Sequence, residues 1–316
     1  MIVTSMDVTT AASRIKSHIR HTPLLRVGGP DLGLSFSVTL KLEFLQHAGS
    51  FKPRGAFNRI LAARERGTLP AQGVIAASGG NHGAAVAYAA HTLGLQAEIF
   101  VPEPTPAAKI ARIEGFGARL TRTGANYAEA QEACRRRQTQ TGALEVHAYD
   151  HEDVLAGQGT VAREFETDAP ELTHVLVAAG GGGLIGGMAA WYAGRTALIS
   201  VEPAACPSLY DALVAGAPVA SPSGGVAADA LGARQVGGLM FPLAQAHIAP
   251  AILVSDDAIR AAQRLLWDRL RVVAEPAGAT ALAALLSGAF VPPPGAQVGV
   301  VLCGANTDPG LVGSSP

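Results

Sequence analysis

Lys52 has the most distinctive chemical surroundings in this sequence. It lies in the segment Gly49-Ser50-Phe51-Lys52-Pro53-Arg54-Gly55-Ala56. This segment closes a strand-like run and begins a helix-like one, and its small residues leave the lysine amine approachable. A lysine placed in this way can hold an aldehyde as a Schiff base. Because most lysines of a folded protein are solvated surface charges, the other motifs must decide whether this one is reactive.

A run of four glycines, at residues 180–183, supplies a partner for such a lysine. It follows the apolar run at residues 175–179, which is typical of a buried parallel strand, and it precedes a helix-like segment at residues 184–193. A strand, a glycine turn and a helix N-terminus bring unpaired N–H groups and about half an elementary positive charge to one point. That point suits a phosphate, and glycine lets the backbone approach the phosphate oxygens closely. Together with the segment Ser78-Gly79-Gly80-Asn81-His82-Gly83, these features indicate a pyridoxal phosphate site.

The same glycine loop also fits a different class of protein. Gly181, Gly183 and Gly186 satisfy the G-x-G-x-x-G pattern, and Glu202 ends the next apolar run, where a ribose-binding acid would lie. An NAD-binding dehydrogenase is therefore the alternative from another class, although it explains neither Lys52 nor Asn81. A non-catalytic binding module is a third interpretation, but binding alone does not require a buried amine.

Four ordered segments resemble the signature segments of fold-type II pyridoxal phosphate enzymes, and most of all their threonine/serine dehydratase branch. The resemblance extends over nearly the whole chain, in the order and with the spacing of that family. The matching segments are residues 50–56, 78–83, 180–184 and 301–306.

The resemblance implies roles for individual residues. Lys52 would carry the cofactor and move protons, Phe51 would pack near the ring, and Asn81 would bind the phenolic oxygen. Cys303 would face the pyridine nitrogen as a weak partner that leaves the ring a mild electron sink. Glu275 would order the lysine or the cofactor. The remaining predicted cofactor-binding residues are Gly180, Gly181, Gly182, Gly183, Leu184 and, from its position in the chain, Gly225.

The predicted substrate-binding residues are Ser78, Gly79, Gly80 and His82, and the first three are expected to hold the substrate carboxylate. We expect the His82 side chain itself to be structural, because Lys52 is already available for proton transfer. Asn81 precedes a helical run and is expected to act as an N-cap residue as well.

The activity that the resemblance implies is dehydration and deamination of a β-hydroxy amino acid, L-threonine or L-serine or both, to a 2-oxo acid and ammonia. Serine racemase and 3-hydroxyaspartate dehydratase are the alternatives within the family. Gly79 stands where serine racemases carry a serine that serves the opposite face of the cofactor, so racemisation is expected to be weak. Ser208 stands where cation-binding members carry an acid six residues after Glu202, so no metal is predicted.

The order of apolar and helix-like segments predicts an α/β fold with two doubly wound domains. Strand-like runs at residues 74–77, 97–102 and 118–121 are expected to form a small domain at 69–150. Runs at residues 173–179, 197–202 and 298–303 are expected to form the larger, cofactor-binding domain. Only the resemblance assigns residues 1–68, together with 151–316, to that larger domain. The site is expected in the cleft between the domains.

Composition excludes several function classes. The 316 residues are 48% hydrophobic with a formal net charge of −1, which gives no footprint for nucleic acid. No apolar stretch is long enough to span a bilayer, and the sequence does not begin with a signal-peptide pattern. Three widely spaced cysteines suit a reducing compartment. The expectation is a cytoplasmic homodimer that acts on a small amino-acid substrate.

Overall fold

The computed structural model describes residues 2–310. The first half of the chain alternates helices with short strands. Its elements are α1 (Ser5–Ile15), β1 (Leu24–Val27), α2 (Gly29–Leu32), β2 (Val38–Lys41), α3 (Pro53–Glu65), β3 (Val74–Ala77), α4 (Asn81–Thr92), β4 (Ala97–Val101), α5 (Ala107–Gly115), β5 (Arg119–Arg122), α6 (Tyr127–Thr141) and β6 (Leu144–Glu145).

The second half continues the alternation with longer helices. Its elements are α7 (Glu152–Asp168), β7 (His174–Ala178), α8 (Gly183–Tyr192), β8 (Ala197–Pro203), α9 (Ser208–Ala215), α10 (Ala228–Leu231), α11 (Phe241–His247), β9 (Ile248–Val254), α12 (Asp256–Leu270), α13 (Pro276–Leu286) and β10 (Val298–Val301). The predicted α/β class with parallel sheets is confirmed.

The smaller sheet has four strands in the order β5-β4-β3-β6, all parallel. Strand β3 is buried along its whole length, as its continuous apolar sequence predicts for a parallel strand. Helix α4 packs on this sheet with a face of buried alanines, which let the helix approach the strands closely.

The larger sheet has six strands in the order β1-β2-β10-β7-β8-β9, and only β1 is antiparallel to its neighbour. Strands β1 and β2 join this sheet although they precede the smaller sheet in the chain. Strand β9 lies at the opposite edge and was not predicted. Its sequence contains Pro250, which interrupts the apolar pattern and is tolerated at an edge because proline lacks an N–H group.

Glycine turns connect the strands to the helices at the carboxyl ends of both sheets. Gly182 has φ of 84°, a left-handed conformation that favours glycine, and it serves as the N-cap of α8. Within residues 2–310, no helix has both the length and the apolar character that crossing a membrane requires.

Candidate active site

Lys52 lies at the start of α3, where the larger sheet faces the smaller one. The Phe51 N–H group donates to the carbonyl of Cys303 at 3.2 Å, and Ser50 forms a bridge with Gly304. Pro53 then occupies the first helical position, where its missing N–H group costs nothing. Two segments about 250 residues apart in sequence therefore meet at Lys52 because β10 runs alongside β2.

Within the described residues, the hydrogen-bond partner of the Lys52 amine is an uncharged group. Its Nζ donates to the carbonyl of Ala148 at 2.9 Å and lies 5.2 Å from the centre of the Phe51 ring. It forms no ion pair with a carboxylate of residues 2–310. Burial lowers the pKa of Lys52 to about 8, while Cys303 and Glu275 act in the opposite direction. A sizeable fraction of the amine is therefore neutral and nucleophilic near physiological pH.

Asn81 is held from both ends of its side-chain amide. Its Nδ2 donates to Glu275 Oε1 at 2.6 Å, and its Oδ1 accepts from Asn306 Nδ2, also at 2.6 Å. Asn306 Nδ2 donates as well to the carbonyl of Ala48 at 2.8 Å. One proton of the Asn81 amide stays available for a ligand, and the chain of hydrogen bonds fixes its direction.

Glu275 and Cys303 are buried groups whose charged forms are disfavoured. Burial raises the pKa of Glu275 to about 7, although the hydrogen bond from Asn81 counteracts part of this effect. Burial also raises the pKa of the Cys303 thiol, and nearby Glu275 adds to that increase. The Cys303 Sγ donates to the carbonyl of Ala277 at 3.4 Å. Cys303 is therefore a neutral thiol, which is a weak partner for any ring nitrogen.

The segment from Ser78 to His82 comprises the turn after β3 and the first two residues of α4. The Gly80 N–H group donates to Ser78 Oγ at 3.2 Å, whereas the N–H groups of Gly79, Asn81 and His82 donate to no residue that the structure describes. These free donors at a helix N-terminus suit a carboxylate. The His82 ring lies at 2.7 Å from the carbonyl of Val146, and burial lowers its pKa to about 3.

The predicted phosphate loop joins β7 to α8. Within the described residues, the N–H groups of Gly181, Gly182, Gly183 and Leu184 have no hydrogen-bond acceptor, so the loop forms a cradle of free donors. The glycines are also required by packing. A Cβ atom on Gly181 would lie 2.4 Å from the Tyr149 ring, and one on Gly182 would lie 2.5 Å from Met240.

Two further predicted features, Gly225 and Glu202, have other contacts in the structure. Gly225 has φ of 78°, and a Cβ atom there would meet Asp256 at the start of α12 and Ala205 in the loop after β8. Glu202 is fully buried, and its carboxylate accepts from the N–H groups of Leu209 at 2.8 Å and Tyr210 at 2.7 Å. Because Glu202 is buried, it is inaccessible to a ribose. The NAD-binding alternative therefore lacks the ribose-binding acid that it requires.

Sequence reasoning missed several side chains that border the site. Ala148 and Tyr149 belong to the connection between β6 and α7, which has no recognisable motif. Lys109, Arg112 and Asp229 border the cleft beside Asn81. Helical spacing was the available signal for Lys109 and Arg112, since residues three apart lie on one face of a helix.

A partly buried lysine whose amine is partly neutral, a loop of free N–H donors and a neutral thiol together fit pyridoxal phosphate. With two parallel sheets flanking the site, these features define a fold-type II pyridoxal phosphate enzyme. The family described as "Pyridoxal-phosphate dependent enzyme" matches residues 15–304, and the chain belongs to that family. The predicted cofactor is thereby confirmed, and the dehydrogenase alternative is wrong.

The chain is similar to three proteins that are named for their activities. An L-threonine ammonia-lyase of Geobacter sulfurreducens is 36% identical over 95% of this chain and 75% of its own length. A phenylserine dehydratase of Ralstonia pickettii is 34% identical over 97% of both chains. The solved structure of maize serine racemase superposes with a TM-score of 0.91 at 30% identity, covering 99% of this chain and 96% of that one.

Proposed function

We propose that the protein dehydrates and deaminates a β-hydroxy amino acid, L-threonine or L-serine or both, to a 2-oxo acid and ammonia. The observation that carries the proposal is the pairing of a lysine whose pKa is about 8 with a neutral thiol near it in place of a carboxylate. This combination favours loss of a group at Cβ over reactions that need a stronger electron sink. The similarity to an L-threonine ammonia-lyase and a phenylserine dehydratase supports the same reaction type.

Pyridoxal phosphate, when bound, withdraws electrons from the substrate Cα. Lys52 is assigned to hold the cofactor and, once displaced by the substrate amine, to take the Cα proton as the general base. The free N–H groups of Gly79 and Asn81 would receive the substrate carboxylate. The β-hydroxyl must be protonated to leave as water, and the ammonium form of Lys52 can supply that proton. The released enamine then hydrolyses to the 2-oxo acid and ammonia.

Other residues tune this chemistry without reacting. Glu275 holds Asn81 in place through the 2.6 Å hydrogen bond, so the Asn81 amide is directed before the cofactor binds. The glycine loop would hold the phosphate through its free N–H groups. Phe51, whose ring lies 5.2 Å from the Lys52 amine, would pack against the cofactor ring.

Serine racemisation is the second candidate, favoured by the similarity to maize serine racemase. Racemisation needs a proton donor on the face opposite the lysine. Gly79 offers no such group, and a Cβ atom there would already lie 3.0 Å from Thr105 Cγ2. Gly79 therefore favours elimination over inversion at Cα.

One experiment tests both candidates. The cofactor-loaded protein is incubated with L-threonine and with L-serine, and 2-oxo acid, ammonia and D-serine are measured. We expect 2-oxobutyrate from threonine or pyruvate from serine in equal amounts with ammonia, with little D-serine. D-serine as the main product from L-serine would make the protein a racemase, and no 2-oxo acid from any β-hydroxy amino acid would reject the proposal.

The cellular context and assembly are also parts of the proposal. We place the enzyme in the cytoplasm as a homodimer without nucleic-acid or metal partners, and we divide it at residues 68/69 and 150/151 into domains. Its three cysteines are all buried and free, which supports a reducing compartment. Light scattering coupled to size-exclusion chromatography would measure the mass, and a monomeric mass would reject the dimer.

A further inference from the structure

A solvent-open cleft lies beside the segment that we assign to the substrate carboxylate. It is bordered by Gly80 and Asn81 at the N-terminus of α4, by Lys109 and Arg112 on α5, and by Asp229 on α10. The cleft therefore lies between the smaller and the larger sheet, directly next to the predicted site residues.

The charges of the side chains that border this cleft do not sum to zero. Lys109 forms an ion pair with Asp229, which neutralises both. Arg112 forms neither a hydrogen bond nor an ion pair with any residue of the described part of the chain. The other polar side chains at the cleft, Asn81 and Asn306, are neutral. One positive charge is thus left over.

The field of Arg112 reaches into the site. The pKa of Glu275 is raised mainly by burial and also by Asp229, whereas the hydrogen bond from Asn81 and the positive charge of Arg112 act in the opposite direction. Arg112 therefore acts on Glu275, although its own side chain is exposed.

The α-carboxylate of an amino acid does not need this charge. The N–H groups of Gly79, Asn81 and His82 already present three free donors at the positive end of α4. A guanidinium group binds a carboxylate through two parallel hydrogen bonds, which makes Arg112 suited to a second, distal carboxylate.

We infer that Arg112 is a specificity-determining residue that selects β-hydroxy amino acids with an anionic side chain, the 3-hydroxyaspartate class. The inference rests on the proposed reaction and extends its substrates beyond threonine and serine. In the reaction, the Cα–H and Cβ–OH bonds break and water leaves. Hydrolysis of the resulting enamine then returns one water and releases oxaloacetate and ammonia.

Binding of inert anions tests the charge selection without turnover. Succinate and butyrate have the same number of carbons but differ by one carboxylate, and isothermal titration of the cofactor-loaded protein gives both affinities. We expect succinate to bind at least about tenfold more tightly than butyrate, and Arg112→Gln to reduce this ratio about tenfold. Asp229→Asn, which frees Lys109, should increase the ratio. Arg119→Gln, an exposed arginine of β5 outside the cleft, should leave it unchanged.

Turnover completes the test. The ratio of kcat/KM for 3-hydroxyaspartate over threonine should fall about tenfold in Arg112→Gln. Equal loss with both substrates would overturn the inference, because Arg112 would then serve the α-carboxylate, and so would equal binding of succinate and butyrate by the native protein. If no substrate yields a 2-oxo acid, the proposed function fails while the anion titration still reports on Arg112.

Discussion

Two lysines of this protein, Lys41 and the partly buried Lys52, lie in opposite environments. Lys41, at the end of β2, is fully buried, and its Nζ lies 2.9 Å from Glu164 Oε2 and 3.7 Å from Asp168 Oδ2. It also donates to the carbonyl of Thr22 at 2.7 Å. Among the residues that the structure describes, Lys52 has a single acceptor, the neutral carbonyl of Ala148. Burial of a lysine without a carboxylate partner favours the neutral amine, whereas the Lys41 amine lies beside two carboxylates.

The surroundings of Lys41 belong to a buried ion network, which we define as Lys41, Glu43, Arg54 and Glu164. Arg54 forms paired hydrogen bonds with both glutamates at 2.7–2.8 Å. Burial alone would lower the pKa of Arg54, but Glu43 and Glu164 raise it above its ordinary value. Arg54 and Lys41 overcome the effect of burial on Glu164 and lower its pKa to about 2.

The contrast explains how adjacent residues acquire different roles. Arg54 is two residues from Lys52 in the sequence, yet it is permanently charged and structural, while Lys52 can be neutral and reactive. The buried ion network lies behind the first turn of α3 and holds that turn against α7 through Arg54 and Glu164. We infer that fixed charges on one side of the turn position a titratable amine on the other.

Replacing each lysine should give the largest effects, on activity for Lys52 and on stability for Lys41. Lys52→Ala should lower kcat on the order of 10³-fold or more, because the general base is lost, with little change in stability. Lys41→Met should reduce the free energy of unfolding by about 3 kcal/mol, because it leaves a buried carboxylate under-compensated, while the folded fraction remains active. Initial rates and urea unfolding of both variants measure these effects. The contrast would fail if both variants lost activity to the same extent.

Glu164→Gln should destabilise the protein by about 3–5 kcal/mol, because Arg54 and Lys41 both lose a charged partner. The stabilisation by Glu164 is fully present above the ordinary pKa of a glutamate and is lost as the pH falls toward its folded pKa of about 2. Urea unfolding at neutral and acidic pH measures both statements. Glu166→Gln is the matched control, since Glu166 on the same helix pairs with the more exposed Arg195. Similar losses in the two variants would contradict the account.

Cys303→Asp should slow elimination by roughly tenfold, because a carboxylate facing the ring would keep the ring nitrogen protonated and strengthen the electron sink. We also expect a new absorption band at longer wavelength in the presence of substrate. Stopped-flow spectra and rates of 2-oxo acid formation measure both, with Cys303→Ser as the control that keeps a neutral side chain. A wild-type rate and spectrum would show that Cys303 does not face the ring.

Glu275→Gln should produce the smallest effect. The ionised Glu275 raises the pKa of Lys52, so its removal should shift that pKa downward, by less than about one unit. Glutamine keeps an oxygen that can accept from Asn81. The rate at which the cofactor-free protein reacts with pyridoxal phosphate, followed against pH, reports the Lys52 pKa. An upward shift would show that Glu275 does not act on the amine in this way.

Apolar runs and glycine runs predicted strands and a helix start well where those patterns were pronounced. The run at residues 74–77 is apolar throughout, and the run at 97–102 is apolar except for Glu98; they became β3 and β4 almost to the residue. The glycine run at 180–183 likewise begins α8, because a glycine turn must precede a helix that starts so abruptly. Strand β9 was missed, since Pro250 breaks its apolar pattern.

Long-range contacts could not be predicted from residue types. Glu43, Arg54 and Glu164 contact one another across separations of up to 110 residues, and no local period marks any of them. The hydrogen bond from Asn81 to Glu275 spans 194 residues and depends on how the two sheets face each other. Charge balance in the cleft at Arg112 is also a property of the folded chain alone.

The most direct test of the account compares the lysines within one protein. The cofactor-loaded enzyme is reduced with borohydride, digested and mapped by mass spectrometry. We predict that the protein is yellow, that reduction removes the colour, and that the pyridoxyl mass is found on the peptide containing Lys52, with Lys41 unmodified. Modification of Lys41 or of a surface lysine, with Lys52 unmodified, would contradict the central claim that burial without a charged partner makes Lys52 the reactive residue.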